Sequence, residues 1–283
     1  MLTGRKIGFI GSGNMAEAIV SGLVSSKAAL GENIICSDVR ADKLKKFQDL
    51  YGVSTTTDNR QVAEQSEILV YAVKPQLLGR VLKETADLLD MSKLVISIAA
   101  GVPLAAIESC LNKELRLIRV MPNICAFVKE GASAVAAGRH VQEGDVDRAM
   151  AIFDSVGKSI FIEENVLMDA FTGMSGSGPA YIALVIESMS DAGVKLGMSR
   201  EDSLLLSIQT VLGAAKLLLE SGEHPGQLKD RVASPGGTAI VGVHTLEQGG
   251  LRPTMINAVE AASKRATELG ELMIRNFAEN NNQ

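Results

Sequence analysis

The spacing of hydrophobic residues changes near residue 165 of this 283-residue chain. Before that point, short β-branched runs alternate with amphipathic stretches, a pattern typical of β-α-β units around a parallel sheet. Strands are predicted at Lys6–Ile10, Asn33–Ser37, Ile68–Val73, Leu94–Ile98, Arg116–Val120, Ala132–Ala136 and Lys158–Ile162. Helices are predicted to begin near Asn14, Asp42, Asn59, Gln76, Pro103 and Gly144. Residues 1–165 are therefore predicted to form an α/β domain with a mostly parallel, doubly wound sheet.

Residues 166–283 lack strand patterns and are predicted to form an all-α domain. Ser199 is placed to cap a helix that ends at Ser221-Gly222, and another helix is predicted from Pro253 to about Phe277. These helices are apolar on more than one face. We therefore expect a second subunit to bury them in a homodimer.

Composition narrows the classes of partner. The net charge is −5 and no long basic run occurs, which argues against a nucleic acid or an anionic membrane as partner. Gln209 and Lys216 interrupt the most apolar stretch, so a membrane span is not expected. The N-terminus lacks a signal-peptide core. Three unpaired cysteines and three histidines without ligand spacing favour a cytoplasmic protein with no metal site.

A glycine-rich turn separates the first predicted strand from the first predicted helix. Its first glycine permits a tight turn, its second lets a pyrophosphate approach the backbone, and the helix start offers free N–H groups. An ordinary β-α turn also uses glycine, but the position between strand and helix favours a dinucleotide site. The predicted cofactor contacts here are Gly11, Ser12, Gly13, Asn14 and Met15.

The ends of later strands complete the predicted cofactor site. At the end of the second strand, Ser37 and Arg40 suit the 2′-phosphate of NADP, whereas Asp38 suits the ribose hydroxyls of NAD or caps the next helix. The choice between NADPH and NADH therefore stays open. Two further strand ends are predicted cofactor loops, although each is also compatible with an ordinary loop closed by proline. They contribute Ala72, Val73, Lys74, Pro75, Ala99, Ala100 and Gly101.

Two glycine-rich helix starts lie in the helical half, at Met174–Tyr181 and Ala233–Ala239. In the second, Ser234 is predicted to cap a helix whose first residue is Pro235. The two glycines that follow would present N–H groups to a small anion such as a carboxylate. Close packing of another helix is the alternative explanation for these glycines.

Three segments, in order, resemble the signature of the pyrroline-5-carboxylate reductases: Ser175–Tyr181, His224–Asp230 and Ser234–Thr238. The glycine-rich turn and the two later cofactor loops are similar to the nucleotide loops of this family. The resemblance spans nearly the whole chain and implies a Rossmann domain followed by an α-helical dimerisation domain. It also implies NADPH or NADH as hydride donor, pyrroline-5-carboxylate as substrate, L-proline as product, and homodimers that assemble into rings.

The same resemblance implies roles for individual residues. Thr238 is the predicted catalytic residue, and Asn59 matches a cofactor-contacting asparagine. Family members often carry a second threonine one position later, where this chain has Ala239, so the proton donor to the ring nitrogen stays unassigned. The residues predicted to hold the substrate carboxylate are Ser234, Gly236, Gly237 and Thr238.

Two other functions are weighed against this one. A β-hydroxyacid dehydrogenase-like reductase needs a catalytic lysine with a neighbouring asparagine, but the matching helix offers only Lys195, near its end and with no asparagine close by. A non-catalytic NAD(P)H-sensing protein would have no need for an anion site at Ser234–Thr238. Oxidation of reduced cofactor that depends on pyrroline-5-carboxylate separates these possibilities.

Overall fold

A computed structural model describes residues 2–281, apart from the side chains of residues 165, 166 and 278–281. The strands are β1 (Ile7–Ile10), β2 (Ile34–Ser37), β3 (Ser54–Thr56), β4 (Ile68–Tyr71), β5 (Leu94–Ser97), β6 (Arg116–Pro122), β7 (Gly131–Ala137) and β8 (Gly157–Phe161). The first helices are α1 (Asn14–Ser25), α2 (Ala41–Tyr51), α3 (Asn59–Gln65), α4 (Pro75–Thr85), α5 (Leu104–Leu111), α6 (Asp145–Phe153) and α7 (Glu164–Phe171). The later helices are α8 (Gly178–Lys195), α9 (Arg200–Ser221), α10 (Pro225–Val232), α11 (Thr238–Gln248) and α12 (Leu251–Asn281).

Within the described residues, the strands form one sheet in the order β3-β2-β1-β4-β5-β6-β7-β8. Neighbouring strands run parallel, except that β7 is antiparallel to β6. Buried hydrophobic clusters cover both faces of the sheet, as helices on both sides require. The predicted mostly parallel, doubly wound sheet is confirmed. The strand order switches between β1 and β4, which is where such sheets bind ligands.

The sequence pattern does not predict β3. Its residues, Ser54–Thr56, carry no large hydrophobic side chain, and none of them is buried. The strand lies at the edge of the sheet and pairs only with β2, so it needs no apolar face. Because β3 runs parallel to β2, it brings Asn59, the first residue of α3, beside the end of β2.

Contacts divide the chain into two compact units. The first unit comprises Met1–Gly176 and Ala261–Gln283, and the second is Ser177–Glu260. The end of α12 belongs to the first unit because Phe277 is buried in the cluster beneath α4 and α5. The predicted domain boundary at residues 165 and 166 marks where strands give way to helices, and it stays a prediction about separate domains.

In the second unit, α8 and α9 pack closely through small residues. The Ser203 hydroxyl donates to the Ser190 carbonyl at 2.7 Å, and Ser203 also lies directly against Gly193. On the opposite side of α9, Leu205 is 63% exposed and Leu212 is 54% exposed. Among the described residues, α9 is a helix long and apolar enough to cross a membrane, with a mean hydropathy of 1.4. This unit therefore leaves a large apolar surface uncovered.

The predicted ends of one helix are confirmed, and the predicted start of another is wrong. For α9 they are confirmed, because the Ser199 side chain accepts from the Asp202 N–H and Gly222 ends the helix with φ +66°. The predicted start of the last helix at Pro253 is wrong, since α12 begins at Leu251. Proline is tolerated in the first helical turn, where its missing N–H would have no helical partner.

Candidate functional site

Hydrogen bonds to the end of β2 hold the turn after β1 in place. The Gly11 N–H donates to the Ser37 carbonyl at 2.9 Å, and the Ser12 N–H donates to the Asp38 carboxylate at 3.0 Å. Gly11 has φ +98°, and a Cβ there would lie 2.8 Å from the Ala72 carbonyl oxygen. Only glycine fits this conformation and this close approach. The turn is therefore rigid and requires glycine at position 11.

A cleft of about 440 Å³ opens beside this turn. Gly13 lies at the start of α1, where no side chain caps the helix, and a Cβ at Gly13 would meet no heavy atom within 4 Å. A free helix N-terminus facing open space is suited to bind an anionic diphosphate. The predicted residues that line the cleft are Gly13, Asn14, Met15, Ala72, Val73, Lys74, Pro75, Ala99 and Ala100.

Two residues that line the cleft were missed by the sequence reasoning. Ile98 directly follows β5, and the rule that ligands bind beyond strand ends would have found it. Lys43 lies in the first turn of α2, with its ammonium 3.9 Å from the Asp38 carboxylate. Nothing in the local sequence marks this lysine, because its position depends on how α2 packs against β3, β2 and α1.

Ser37 and Asn59 form a pair at the end of β2. The Ser37 side chain is buried, and its hydroxyl donates to Asn59 Oδ1 at 2.7 Å. The Asn59 amide in turn donates to the Glu84 carboxylate at 3.1 Å. The hydroxyl of Ser37 therefore holds Asn59, which is half-buried at the start of α3.

Asp38 and Arg40 follow β2 and face different partners. The Asp38 carboxylate accepts the Arg40 N–H at 3.0 Å as well as the Ser12 N–H. The predicted alternative, in which Asp38 caps α2, is wrong because Arg40 occupies the cap position. The Arg40 guanidinium is exposed and donates to Asp42. This hydrogen bond holds the pKa of the Asp42 carboxyl below its ordinary value.

The loop before α11 differs from the predicted helix start. The Gly237 N–H donates to the Ser234 carbonyl at 3.0 Å, and Gly236 has φ +67°. Proline followed by a glycine of positive φ is typical of a type II turn. The prediction that Ser234 caps the helix and Pro235 begins it is therefore wrong. The helix begins at Thr238, with Gly237 in the cap position.

Because α11 begins at Thr238 and not at Pro235, a different set of N–H groups faces outwards at its start. The Gly237 N–H is used in the turn, so the helix end offers the N–H groups of Thr238, Ala239 and Ile240, which have no partners within the helix. No side chain caps α11, and its first turn carries no acidic residue. The positive end of the helix is therefore open to a small anion.

His224 has a structural role at the start of α10. Its Nδ1 accepts the Gly226 N–H at 3.0 Å, while the His224 N–H donates to the Gln227 side chain at 3.0 Å. These two bonds form a reciprocal cap. They make His224 the cap residue of α10.

Comparison with known sequences locates relatives of both halves. The pyrroline-5-carboxylate reductase dimerisation family matches residues 165–269. The family of coenzyme F420-dependent NADP oxidoreductases matches residues 6–101. A pyrroline-5-carboxylate reductase of Methanosarcina acetivorans is 49% identical over 94% of this chain and 98% of its own length. The enzyme of Arabidopsis thaliana is 43% identical over 94% of this chain and 96% of its own.

Solved structures have the same fold. A pyrroline-5-carboxylate reductase from Coxiella burnetii superimposes with a TM-score of 0.91 at 40% identity, covering 94% of this chain and 98% of that one. The Plasmodium falciparum pyrroline carboxylate reductase, solved with NADP bound, gives a TM-score of 0.83 at 35% identity, with the same coverage of both chains.

Proposed function

The chain belongs to the pyrroline-5-carboxylate reductase family, and we infer that it reduces the C=N bond of 1-pyrroline-5-carboxylate to give L-proline with NADPH or NADH. The observation that carries this inference is the 49% identity over 94% of the chain to a reductase of this name. Family membership decides against a β-hydroxyacid dehydrogenase and against a non-catalytic sensor. Oxidation of reduced cofactor that requires pyrroline-5-carboxylate tests the inference.

The cleft beside Gly13 fits a dinucleotide, because Gly13 has no side chain and leaves the space above the start of α1 open. Any side chain at position 13 would fill that space. The start of α1 would hold the pyrophosphate, and Lys74, exposed at the cap position of α4, supplies a cation to the same cleft. Asn59, held by Ser37, and Arg40 would contact the adenosine half. When bound, the reduced nicotinamide supplies the hydride that reduces the imine carbon.

The substrate carboxylate is proposed to bind at the start of α11. The N–H groups there and the Thr238 hydroxyl are donors that suit a carboxylate. Gly236 and Gly237 shape the turn and carry no side chains of their own, while Ser234 begins the turn and its hydroxyl lies beside Gly237. Thr238 thus acts in catalysis by holding the substrate in place, since an iminium is already electrophilic and mainly needs orientation.

Arg40 is expected to contribute to NADPH binding. Arg40→Ala should weaken NADPH binding more than NADH binding, because a guanidinium recognises the 2′-phosphate that NADH lacks. Asp42→Asn is the matched control. It weakens the pairing of Arg40 with its present partner and removes a negative charge, so NADPH affinity should rise or stay unchanged. Dissociation constants from fluorescence titration measure both effects. Equal losses with both cofactors in Arg40→Ala would place Arg40 outside the 2′-phosphate site.

The enzyme is a homodimer, and we propose that the exposed apolar face of α9 contributes to its interface. Introducing Leu205→Glu and Leu212→Glu together should shift the protein to monomers, because the dimer would then have to bury two unpaired carboxylates from each subunit. Sedimentation velocity measures the shift. Leu50→Glu, at a leucine that is 61% exposed on α2, is the matched control and should leave the dimer intact. A stable, active wild-type monomer would contradict the proposal.

We also propose that the enzyme is cytoplasmic and not bound to a membrane. The absence of a basic run and the expected burial of α9 by a partner support this location. A larger ring of dimers is proposed from the family resemblance alone. The same sedimentation experiment distinguishes a dimer from a ring by mass.

A further inference from the structure

Asn123, which directly follows β6, bonds to three separate segments of the first unit. Its Oδ1 accepts the N–H groups of Cys125 at 3.2 Å and Ala132 at 3.1 Å. Its Nδ2 donates to the carbonyl and the hydroxyl oxygen of Ser175, each at 3.2 Å. The residue is 8% exposed. Both ends of this buried amide are therefore occupied within the protein.

Ser175, which accepts the bonds from the Asn123 amide, lies in a π-helical turn, Thr172–Gly176. The turn ends with Ser175 and Gly176, the first two residues of the segment Ser175–Tyr181 that the family resemblance singled out but to which no role has been assigned. π-Helical turns are rare and occur frequently at functional sites. The Met121 side chain also packs against the turn, 3.1 Å from where a Cβ on Gly176 would lie. Two residues at the end of β6, Met121 and Asn123, thus contact the turn.

Strand register places this junction at the ligand-binding edge of the sheet. Ser97, the last residue of β5, pairs with Arg119, so β6 extends three residues further in the same direction. Asn123 follows that extension, on the same edge as the cofactor loop that begins at Ile98. The adenosine half of a dinucleotide belongs near β2, so its other half points towards β5 and β6.

We propose that Asn123 is a positioning residue for hydride transfer. Through Ser175 it holds the π-helical turn at the sheet edge where the reacting half of the cofactor would lie. This inference rests on the proposed function, because hydride transfer needs that half of the cofactor to be fixed. A displacement of about 1 Å at a reacting centre lowers rates by roughly a hundredfold.

Asn123→Asp tests the proposal with a side chain of the same shape. The aspartate still accepts from Cys125 and Ala132, but its second oxygen faces the Ser175 carbonyl and has no proton to donate. In the cofactor-free protein, amide hydrogen exchange should accelerate in a peptide covering residues 172–176. In turnover, kcat should fall by about ten- to a hundredfold and the isotope effect with deuterated cofactor should rise, while NADPH affinity stays unchanged.

Ser175→Ala provides the graded comparison. It removes one of the two acceptors for the Asn123 amide and leaves the carbonyl, so both effects should be smaller than in Asn123→Asp. Unchanged hydrogen exchange in Asn123→Asp would show that the amide does not hold the turn. Accelerated exchange with wild-type kcat would show that the turn does not position the reaction. A wild-type protein without turnover would instead overturn the proposed function.

Discussion

Gly13→Val is expected to weaken the binding of NADPH and NADH severely while leaving the fold intact. Gly13 has φ −77° and ψ 179°, an extended conformation that any residue adopts, and no heavy atom lies within 4 Å of its Cβ position. The valine side chain would meet only the cofactor, whose pyrophosphate it keeps from the start of α1. Losing two or more charge-assisted hydrogen bonds, at about 1.5–3 kcal/mol each, weakens binding by at least roughly a hundredfold.

Fluorescence titration and thermal denaturation separate the two parts of this prediction. Gly11→Ala is the contrasting variant, because it places a side chain at φ +98° and 2.8 Å from the Ala72 carbonyl oxygen. That variant should unfold at a clearly lower temperature, whereas Gly13→Val should unfold within a few degrees of the wild type, because valine is only a poorer helix cap than glycine. Wild-type cofactor affinity in Gly13→Val would show that the pyrophosphate does not bind at this helix start.

Two substitutions at Thr238 are expected to raise the KM for pyrroline-5-carboxylate to different extents. Thr238→Val keeps the shape and the backbone N–H but removes the hydroxyl, which should raise KM by roughly ten- to a hundredfold. Thr238→Pro also removes the N–H, so KM should rise by a further factor of similar size. Proline fits the first helical position, and the extended backbone of Gly237 before it, at φ −79° and ψ 175°, is compatible with a following proline.

A bulky substitution at Gly237 would be a less specific test of the anion site than this pair. A Cβ on Gly237 would lie 2.3 Å from the Ser234 hydroxyl, so such a variant would disturb the turn itself. Cofactor affinity and helix content should stay unchanged in both Thr238 variants. L-Proline should compete with the substrate in the wild type, since it carries the same carboxylate on a similar ring. Wild-type KM in Thr238→Pro would show that the substrate carboxylate does not bind at the start of α11.

The parts of the fold that hydrophobic patterns encode could be predicted from the sequence. Strands such as β1, β4 and β5 are buried on both faces and so appear as continuous apolar runs. The edge strand β3 has no such run, and for that reason the pattern does not predict it. Two β-branched threonines alone do not distinguish a short strand from a loop.

The candidate site, too, could be predicted only where the residues that form it are close together in the sequence. The glycine-rich turn is predictable because strand, turn and helix are consecutive in the chain. The turn Ser234–Gly237 was misassigned because proline after serine is favoured both at helix starts and in type II turns, and the positive φ of Gly236 decides between them. The bonds from Asn123 to Ser175 join residues 52 apart, which no local pattern encodes.

Reduction of pyrroline-5-carboxylate by this chain is tested most directly by following the absorbance of the reduced cofactor with purified, folded wild-type enzyme. We predict that absorbance falls with NADPH or NADH only after pyrroline-5-carboxylate is added, and that L-proline accumulates in equal amount. Absence of turnover with both cofactors, or oxidation that proceeds without the substrate, would contradict the account.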